Sequence, residues 1–442
     1  MGPITDKVAT AERLPQETKV AIIGGGVIGV STALFLAERG IPVALFEKGE
    51  IAGEQSSRNW GWCRQTGRDS RELPLIVESM RLWEGMNERV GRETGFRTTG
   101  IAYTAEKEEE VERYAEWIKI ASEHGIQTQL LNGQQAASLA PGLTRPLKGG
   151  MITPRDGRAE PQKAVPAFAA KAQELGAVIL QNCAVRGIET TNGHVSAVLT
   201  EKGRVACEAI VVAGGAWSRL IISSFDAHLP QLKVRSSVFR TSPIESGVEP
   251  AIAFSDFALR KRLDGGYTVA SLGGSIADIV PDSFRFFRDF LPSLSTEWKS
   301  LRFRFGERFF EEAFQWKLRP ADQVSVFEKI RTLDPEPHRA ANAAVLAKLK
   351  AAIPSFASAT IAQEWAGLID TMPDVIPVIS PLPGIDGLIV ATGFSGHGFG
   401  IGPGAGRLVA DMVSGETPVV DPSPFHISRF SDRSKIRIEN WG

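Results

Sequence analysis

The chain has 442 residues, of which 43% are hydrophobic and 23% are charged, a composition typical of a globular protein with two or three domains. Its net charge of −1 provides no general attraction to nucleic acid or to an anionic membrane, so we expect neither as a partner. Three scattered cysteines, Cys63, Cys183 and Cys207, exclude a disulfide framework and a zinc cluster, so we expect no metal site and a reducing, cytoplasmic location. Residues 1–18 are polar, lack the apolar segment of a signal peptide and are predicted to form a flexible tail.

A glycine-rich turn between a strand and a helix follows this tail. Residues 19–23 form an apolar run typical of a buried parallel strand, residues 24–29 fit the pattern G-x-G-x-x-G, and a helix and a second strand ending at Glu47 are predicted next. Gly24 permits the tight turn, Gly26 lets a pyrophosphate approach the backbone, and Gly29 lets helix and strand pack closely. The helix N-terminus attracts phosphate, and Glu47 is placed to accept hydrogen bonds from a ribose. The stretch predicts a dinucleotide-binding βαβ unit; the alternative is a glycine-rich turn in another kind of βαβ unit.

The middle of the chain mixes helices and strands. Helical spacing of apolar residues predicts helices over 70–89, 106–124 and 161–175, and strands are predicted over 96–104, 178–180, 184–188, 195–199 and 209–212. Asn192-Gly193 predicts a hairpin turn. From about residue 233, strands alternate with loops, and residues 283–315 are rich in phenylalanine, which predicts a packed helical subdomain. An interfacial helix or the wall of a substrate gate is the alternative for that stretch.

A second glycine-rich turn lies near the end of the chain. A predicted buried strand over 388–391 leads into a glycine-rich turn over 392–404 and then into a helix over 405–413. Two such turns suggest one large ligand held by a discontinuous domain, which favours FAD over NAD, with the second turn beside the flavin ring. The alternative is that the late glycines only let helix and strand pack.

These parts together resemble the D-amino acid oxidase, glycine oxidase and sarcosine oxidase family of FAD-dependent oxidoreductases. The resemblance rests on residues 24–47, 56–57, 154–161, 211–218, 364–377 and 393–406. It implies an α/β fold with a discontinuous Rossmann-like FAD-binding domain and an α+β substrate domain with an antiparallel sheet. The implied FAD-binding domain comprises 19–95, 150–232 and 360–442, and the implied substrate-binding domain comprises 96–149 and 233–359.

The resemblance also implies roles for individual residues. Gly24, Gly26 and Gly29 would hold the pyrophosphate, Glu47 the ribose, and Val185 the adenine. The full set implied to bind the cofactor is Gly24, Gly26, Val27, Ile28, Gly29, Phe46, Glu47, Lys48, Ser56, Ser57, Arg58, Val185, Gly214, Trp217, Gly396, His397, Gly398 and Phe399.

Two departures from the family limit what is carried over. Some relatives attach FAD to a histidine after the first βαβ unit, where this chain has Arg58, and others use a late cysteine that this chain lacks, so we expect non-covalent FAD with Cys63 as the nearest thiol. Many relatives bind the substrate carboxylate with an arginine where this chain has Ile369-Asp370. An isoleucine cannot form a bidentate clamp on a carboxylate. Either another arginine replaces it or the substrate has no carboxylate there; the candidate arginines are Arg64, Arg235, Arg240 and Arg319.

Candidate catalytic residues come from two places. The loop over 58–65 contains Trp60, Trp62 and Gln65, and this much aromatic area is unusual for a surface loop, so we expect these residues to shape the pocket. A buried structural loop is the alternative. Asp370 has two interpretations. It attracts a cationic group of the substrate, which favours a basic amino acid, polyamine or opine-like substrate, or it caps a loop. His397 is either a flavin contact or a packing residue.

The resemblance implies oxidation of the C–N bond of an amino acid or secondary amine. Hydride passes from the α-carbon to flavin N5, and the resulting imine hydrolyses to a keto acid or aldehyde plus an amine. Oxygen, a quinone or a protein accepts the electrons. The alternatives are an NAD-dependent dehydrogenase, a flavin hydroxylase, and a flavin-binding subunit of a multi-subunit dehydrogenase of the opine or sarcosine type; the oligomeric state stays open.

Overall fold

The computed structural model describes residues 2–297, 301–315, 317–439 and 441. The strands, in chain order, are β1 (Glu17–Ile23), β2 (Val43–Phe46), β3 (Trp62–Cys63), β4 (Arg97–Thr98), β5 (Ile101–Ala105), β6 (Gln129–Asn132), β7 (Gly149–Thr153), β8 (Gly157–Arg158), β9 (Val178–Leu180), β10 (Val185–Thr191), β11 (His194–Thr200), β12 (Gly203–Val212), β13 (Leu232–Thr241), β14 (Ala251–Ala253), β15 (Phe257–Lys261), β16 (Tyr267–Ser271), β17 (Ser275–Ile279), β18 (Leu301–Phe305), β19 (Ile361–Thr371), β20 (Val378–Pro381) and β21 (Leu388–Thr392). The α-helices are α1 (Val27–Glu38), α2 (Gln55–Arg58), α3 (Leu73–Glu84), α4 (Met86–Val90), α5 (Glu108–Glu123), α6 (Gly133–Ser138), α7 (Pro161–Glu174), α8 (Ser218–Ile221), α9 (Pro281–Arg285), α10 (Phe287–Glu297), α11 (Glu307–Ala313), α12 (Val326–Lys329), α13 (Arg339–Ala352) and α14 (Gly398–Ser414).

The first large sheet contains the predicted βαβ unit. Within the described residues it has eight strands, with β1 at its centre paired in parallel to β12 and β2. Alternate residues of β1 enter different apolar clusters: Val20 and Ile22 join one, and Ala21 and Ile23 join the other. Both faces of the strand are therefore buried, which is why its sequence is a continuous apolar run. The hairpin predicted at Asn192-Gly193 is confirmed, because β10 and β11 pair antiparallel across it.

The second large sheet is mostly antiparallel. In the described part of the chain it has ten strands, in the order β18-β17-β13-β16-β15-β14-β5-β7-β6, with β19 paired to β13. Strand β19 lies in this sheet, although residues 360–442 were assigned to the FAD-binding domain from the resemblance. Its register with β13 places Asp370 opposite Lys233 and Gly367 opposite Ser236. The strand therefore carries the predicted site residue Asp370 from the second sheet towards the first.

Glycines allow α14 to pack unusually close to its neighbours. A Cβ on Gly406 would lie 2.4 Å from the Ser31 side chain of α1, and one on Gly402 would lie 2.6 Å from the Val27 side chain. A Cβ on Gly404 would lie 2.7 Å from the carbonyl oxygen of Leu75 in α3. The later glycines of the second turn thus serve packing, as the alternative interpretation expected, but their partners are the helices α1 and α3 and not a strand.

Two segments outside the sheets are fastened to the fold. The tail donates backbone hydrogen bonds to α7, from Asp6 N to Gln162 O (2.9 Å), and to β9 of the first sheet, from Ala11 N to Ile179 O (2.8 Å). We call residues 330–334 the strap. Lys48 Nζ donates to the carbonyl oxygens of Ile330 and Arg331 at 2.8 and 2.9 Å. Leu333 N donates to Glu54 at 2.9 Å, and Arg58 Nη1 donates to Asp334 at 2.6 Å.

The phenylalanine-rich stretch differs from its prediction. Phe286 is buried, but six other phenylalanines of the stretch are more than half exposed: Phe284, Phe287, Phe303, Phe305, Phe310 and Phe314. The expectation that they pack a helical subdomain is wrong for these six, because α9–α11 and β18 meet too little of the remaining chain to cover them. We call them the phenylalanine patch.

None of the helices in the described ranges has the length and apolar character needed to cross a bilayer.

Candidate active site

A cavity of about 440 Å³ lies where the two large sheets meet. The residues that end the parallel strands β1, β2 and β12 line it on one side, and residues of β13, β16 and β19 line it on the other. The carboxyl ends of strands in an open α/β sheet are where such folds bind ligands. Both glycine-rich turns contribute residues, so the cavity brings together the two turns that lie far apart in the sequence.

The first turn, together with β2 and α2, forms what we call the glycine wall: Gly24, Gly25, Gly26, Val27, Glu47 and Ser56. Gly24 has φ +113°, and a Cβ there would lie 2.3 Å from the carbonyl oxygen of Ala213, so only glycine fits. The Glu47 carboxylate accepts hydrogen bonds from Gly25 N and Gly49 N, both at 2.7 Å, and burial raises the pKa of this carboxyl. Val27 N, in the first turn of α1, donates to Ser56 Oγ at 2.8 Å. The polar groups of this wall are therefore held in place by one another.

The other predicted cofactor residues divide into two groups. Most line the cavity: Ile28, Phe46, Lys48, Arg58, Val185, Gly214, Trp217, Gly396, His397, Gly398 and Phe399. Gly29 and Ser57 are not among the lining residues. A Cβ on Gly29 would lie 2.1 Å from the carbonyl oxygen of Gly24, so this glycine serves the close packing of turn and helix. Ser57 is buried and donates to the carbonyl oxygen of Glu54 at 3.3 Å.

The aromatic loop over 58–65 is held rigidly at the cavity. Trp60 and Trp62 both line it, with their rings edge to face and centroids 5.6 Å apart, and the Tyr103 ring follows at 6.0 Å from Trp62. Arg260 Nε donates to the carbonyl oxygen of Trp60 at 2.5 Å, while its guanidinium binds Glu160 through two hydrogen bonds of 2.7 and 3.0 Å. This arrangement keeps the aromatic rings in one position.

Gln65 does not reach the cavity lining. Its backbone N and side-chain Nε2 both donate to Asp156 Oδ1, at 2.8 and 3.2 Å, and Thr66 N donates to the other carboxylate oxygen at 3.0 Å. Burial raises the pKa of the Asp156 carboxyl. The structure therefore gives Gln65 a part in fixing the end of the loop, and Trp60 and Trp62 a place at the cavity.

Asp370 lines the cavity, but protein groups surround its carboxylate. Oδ2 accepts from Gly393 N at 2.8 Å, from Gln231 Nε2 at 3.1 Å and from Thr392 Oγ1 at 3.2 Å. With the Gln55 amide oriented to satisfy its neighbours, its nitrogen donates to Oδ1 at 2.9 Å. Burial raises the pKa of Asp370 to about 6. These bonds fasten the start of the second glycine-rich turn to β19, which favours the loop-capping interpretation over attraction of a substrate cation.

A cluster of charged residues forms the opposite part of the cavity, which we call the arginine wall: Arg64, Arg68, Glu72 and His397. Arg64, Arg68 and His397 line the cavity, and Glu72 is fully buried behind them. His397 Nδ1 lies 3.5 Å from Glu72 Oε2, beyond a good hydrogen bond. Burial and the Arg68 charge lower the pKa of His397 to about 4, so its ring is neutral near pH 7. Burial alone would raise the pKa of Glu72, but His397, Arg68 and Arg64 together bring it below its usual value.

Sequence reasoning missed Arg68 and found Arg64. Of the four candidate arginines, only Arg64 lines the cavity. Arg235 lies on β13 and donates to the carbonyl oxygen of Glu336, and Arg240 contacts Gln363 and Asp264. Arg319 lines a separate, smaller cavity. No local pattern in the sequence marks Arg68, because its surroundings include His397, which lies more than 300 residues later.

The residues present fit an FAD molecule. The cavity passes both glycine-rich turns without a break, and the N-terminus of α1 and that of α14 both face it. The close backbone approach that a pyrophosphate requires is available at Gly26, where even a Cβ would meet Ser56 Oγ at 3.1 Å. The glycine wall would hold the pyrophosphate and ribose, and Gly396, Gly398 and Phe399 would contact the ring.

The fold and this cavity define an FAD-dependent oxidoreductase. A family model described as "DAO: FAD dependent oxidoreductase" matches residues 19–412, and the chain belongs to this family. An L-amino acid deaminase from Proteus myxofaciens, solved in complex with anthranilate, is 33% identical and superposes with a TM-score of 0.93 over 97% of each chain.

Two curated relatives are also similar along their length. Sarcosine oxidase subunit beta of Arthrobacter sp is 24% identical over 93% of this chain and 90% of its own. A glycine oxidase of Geobacillus kaustophilus is 27% identical over 93% of this chain and 96% of its own. The predicted family, the α/β fold class and the use of FAD by an oxidoreductase that acts on a C–N bond are confirmed. The alternative of an NAD-dependent dehydrogenase is wrong.

Proposed function

We propose that this protein oxidises the C–N bond of a small α-amino acid or N-alkyl amino acid with non-covalently bound FAD. The observation that supports this most directly is the single cavity shared by the glycine wall, the aromatic loop and the arginine wall. The relatives named above are an L-amino acid deaminase, a sarcosine oxidase subunit and a glycine oxidase, and each is named for an amino acid substrate. Anthranilate, bound by the deaminase, is an aromatic carboxylate.

FAD, when bound, supplies the acceptor for the hydride of the substrate's α-carbon. The chain's residues position the reactants and keep water away. Trp60 and Trp62 give the substrate a rigid apolar surface, and Val238 of β13 and Leu272, which follows β16, line the same space. Orientation and exclusion of water in such a site supply much of the rate enhancement. We propose three positioning residues: Gln65, Asp370 and His397. Gln65 donates to Asp156, Asp370 accepts from Gly393 N, and His397 lies beside Glu72.

Non-covalent binding is proposed because the positions at which some relatives attach FAD carry neither a histidine nor a cysteine in this chain. Arg58 stands where some relatives have a histidine, and its guanidinium binds Asp334 and the carbonyl oxygen of Ala366. Cys63 is buried, is not among the lining residues, and has a thiol whose pKa is raised by burial. Acid precipitation is expected to leave a colourless pellet and a yellow supernatant; a yellow pellet would contradict this.

An anaerobic screen tests the function. The holoprotein is mixed with D- and L-amino acids, N-alkyl amino acids, opines and polyamines, and bleaching of the flavin absorbance is recorded. At least one amino acid is expected to bleach the flavin, and polyamines are not, because Asp370 is already occupied by protein donors. Reoxidation with oxygen or with a quinone then identifies the acceptor. Bleaching by polyamines alone would overturn the proposal.

A second candidate function is that of a flavin-binding subunit of a larger complex. The phenylalanine patch favours it, because six exposed phenylalanines within one short stretch are more apolar surface than a free monomer usually shows. Sarcosine oxidase subunit beta, to which the chain is similar, is named as one subunit. Failure of every amine to bleach the flavin in isolated protein would favour this function.

We further propose the cytoplasm as the location, since the three cysteines are free and buried. We also propose that the domain division given above is the functional division.

A further inference from the structure

Two nitrogens of the buried Arg68 guanidinium lack a hydrogen-bond partner among the residues that the structure describes. Arg68 is 3% exposed, it lines the cavity, and its Nε and Nη1 are enclosed without an acceptor among the described residues. Native structures rarely leave such donors unpaired, and each case calls for an explanation. Burial and the nearby Arg64 lower the pKa of Arg68 to about 9, which still leaves it charged near pH 7. The group is thus a buried cation that awaits an acceptor.

Within the four residues of the arginine wall, positive charge exceeds negative charge. Arg64 and Arg68 are cations, Glu72 is the buried anion, and His397 is neutral, so the arginine wall has one excess positive charge. Arg64 is already engaged, because its Nη1 donates to the carbonyl oxygen of Thr66 and its guanidinium lies 5.5 Å from the Tyr103 ring centroid. Neither oxygen of Glu72 has a hydrogen-bond partner, and neither lies within 4.0 Å of Arg68. A ligand with one negative charge would complete this wall.

We propose that Arg68 binds the carboxylate of the substrate and that the substrate is an α-amino acid with an uncharged side chain. This inference rests on the function proposed above. A planar guanidinium matches a carboxylate with two parallel hydrogen bonds, a geometry that Ile369 cannot provide at the position used by relatives. The uncharged surface of Trp60, Trp62, Val238 and Leu272 lies beside it in the same cavity and accommodates the rest of the substrate.

Two of the carboxylates that line the cavity, those of Glu47 and Asp370, are occupied by protein donors. Glu47 accepts two backbone N–H groups, and Asp370 accepts Gly393 N together with side-chain donors. A lysine or arginine side chain of a substrate would therefore find no free carboxylate at either residue. In an acidic amino acid, Arg68 would already be bound to the α-carboxylate, so the second carboxylate of the side chain would lack this partner.

Equilibrium binding of unreactive probes tests the carboxylate site without turnover. The flavin spectrum of the holoprotein is titrated with benzoate and with benzamide, which share shape but differ in charge. Benzoate is expected to bind the wild-type protein more tightly than benzamide. In Arg68→Met the benzoate affinity is expected to fall about 100-fold, with that of benzamide changed less than about threefold. Arg68→Lys keeps the charge without the planar fork, and about a tenfold loss for benzoate is expected.

Arg158→Met is the matched control. Arg158 is buried and its Nη1 also lacks a partner, but it is not among the cavity-lining residues, so benzoate affinity is expected to stay as in the wild type. Unchanged benzoate affinity in Arg68→Lys or Arg68→Met would overturn the inference, as would equal loss of both probes. Should Arg68→Met fail to fold, Arg68→Lys decides. A benzoate site that depends on Arg68 in a protein that no amino acid bleaches would leave the inference standing and refute the proposed function.

Discussion

The glycine wall and the arginine wall line one cavity, yet their polar groups are satisfied in opposite ways. In the glycine wall, the Glu47 carboxylate and the Val27 amide find partners within the protein. In the arginine wall, Arg68, Glu72 and His397 each retain buried polar atoms without a hydrogen bond. Backbone groups of the turn, paired with the side chains of Glu47 and Ser56, build the first wall, whereas long charged side chains build the second.

This difference indicates two ways of preparing a site. A wall made of backbone groups is fixed by the fold and can be read from a short motif. A wall of unpaired charges is incomplete until a ligand supplies the missing acceptor, because a buried unsatisfied donor costs about 1–3 kcal/mol. We therefore expect changes to the first wall to affect cofactor binding and folding together, and changes to the second to depend on the ligand.

Gly29→Ala is expected to have the largest effect and would break the first wall. The new Cβ would lie 2.1 Å from the carbonyl oxygen of Gly24, which forces α1 away from the turn. We expect loss of bound FAD and a fall of about 3 kcal/mol in the free energy of unfolding, measured by flavin absorbance and denaturant titration. Gly85→Ala is the control, since nothing lies within 4 Å of its Cβ position and FAD content should be retained.

Asp370→Asn is expected to change the pH dependence of stability. The folded-state pKa of Asp370 is raised from 3.8 to about 6, so its stabilising contribution is present below pH 4 and is lost as the pH rises through 6. Relative to Asp370→Asn, the wild type should lose about 3 kcal/mol between these values. Denaturant unfolding at several pH values measures this. The exposed Asp386→Asn should show no such trend, and parallel curves for wild type and Asp370→Asn would contradict the prediction.

Glu72→Gln sharpens the contrast at the second wall. It removes the buried anion nearest to the Arg68 and Arg64 charges, and we expect a loss of about 2 kcal/mol in the free energy of unfolding. Benzoate should raise the melting temperature of this variant more than that of the wild type, because it supplies the missing negative charge. Glu84→Gln, at the far end of the helix that follows Glu72 and paired with the exposed Arg155, should behave as the wild type. A Glu72→Gln protein more stable than the wild type would refute this account.

Ser56→Ala is expected to have the smallest effect. It removes the acceptor that Val27 N uses at 2.8 Å, so about 1 kcal/mol of stability and about fivefold in FAD affinity should be lost. Calorimetric titration of the apoprotein with FAD measures the affinity. The exposed Ser138→Ala in α6 serves as the control. An unchanged affinity would show that α1 is held without this hydrogen bond.

The first wall was readable from sequence because its parts are neighbours in the chain. The strand, the turn, the helix and Glu47 follow one another within about 30 residues, as βαβ units do. The sequence also predicts the second glycine-rich turn, but it does not distinguish the two roles of its glycines. Gly396 and Gly398 line the cavity, whereas Gly402 and Gly406 pack against α1. Only the positions of Val27 and Ser31 in space distinguish them.

Arg68 and the phenylalanine patch were beyond sequence reasoning for different reasons. Arg68 is surrounded by Glu72 and by His397, which follows more than 300 residues later, so no local pattern marks it. The spacing of Phe305 and Phe310 predicts secondary structure but does not say what covers the rings. Asp370 likewise depends on Gly393 and Gln231 from two other strands and loops.

The strap has a consequence for how long a cofactor stays bound. Lys48, Glu54 and Arg58 all line the cavity, and each also holds a residue of the 330–334 segment. The strap holds these side chains in the positions that a dinucleotide would contact, so we expect it to prolong the residence time of the bound cofactor. Neutralising Asp334 should therefore speed the dissociation of FAD without altering the glycines that recognise it.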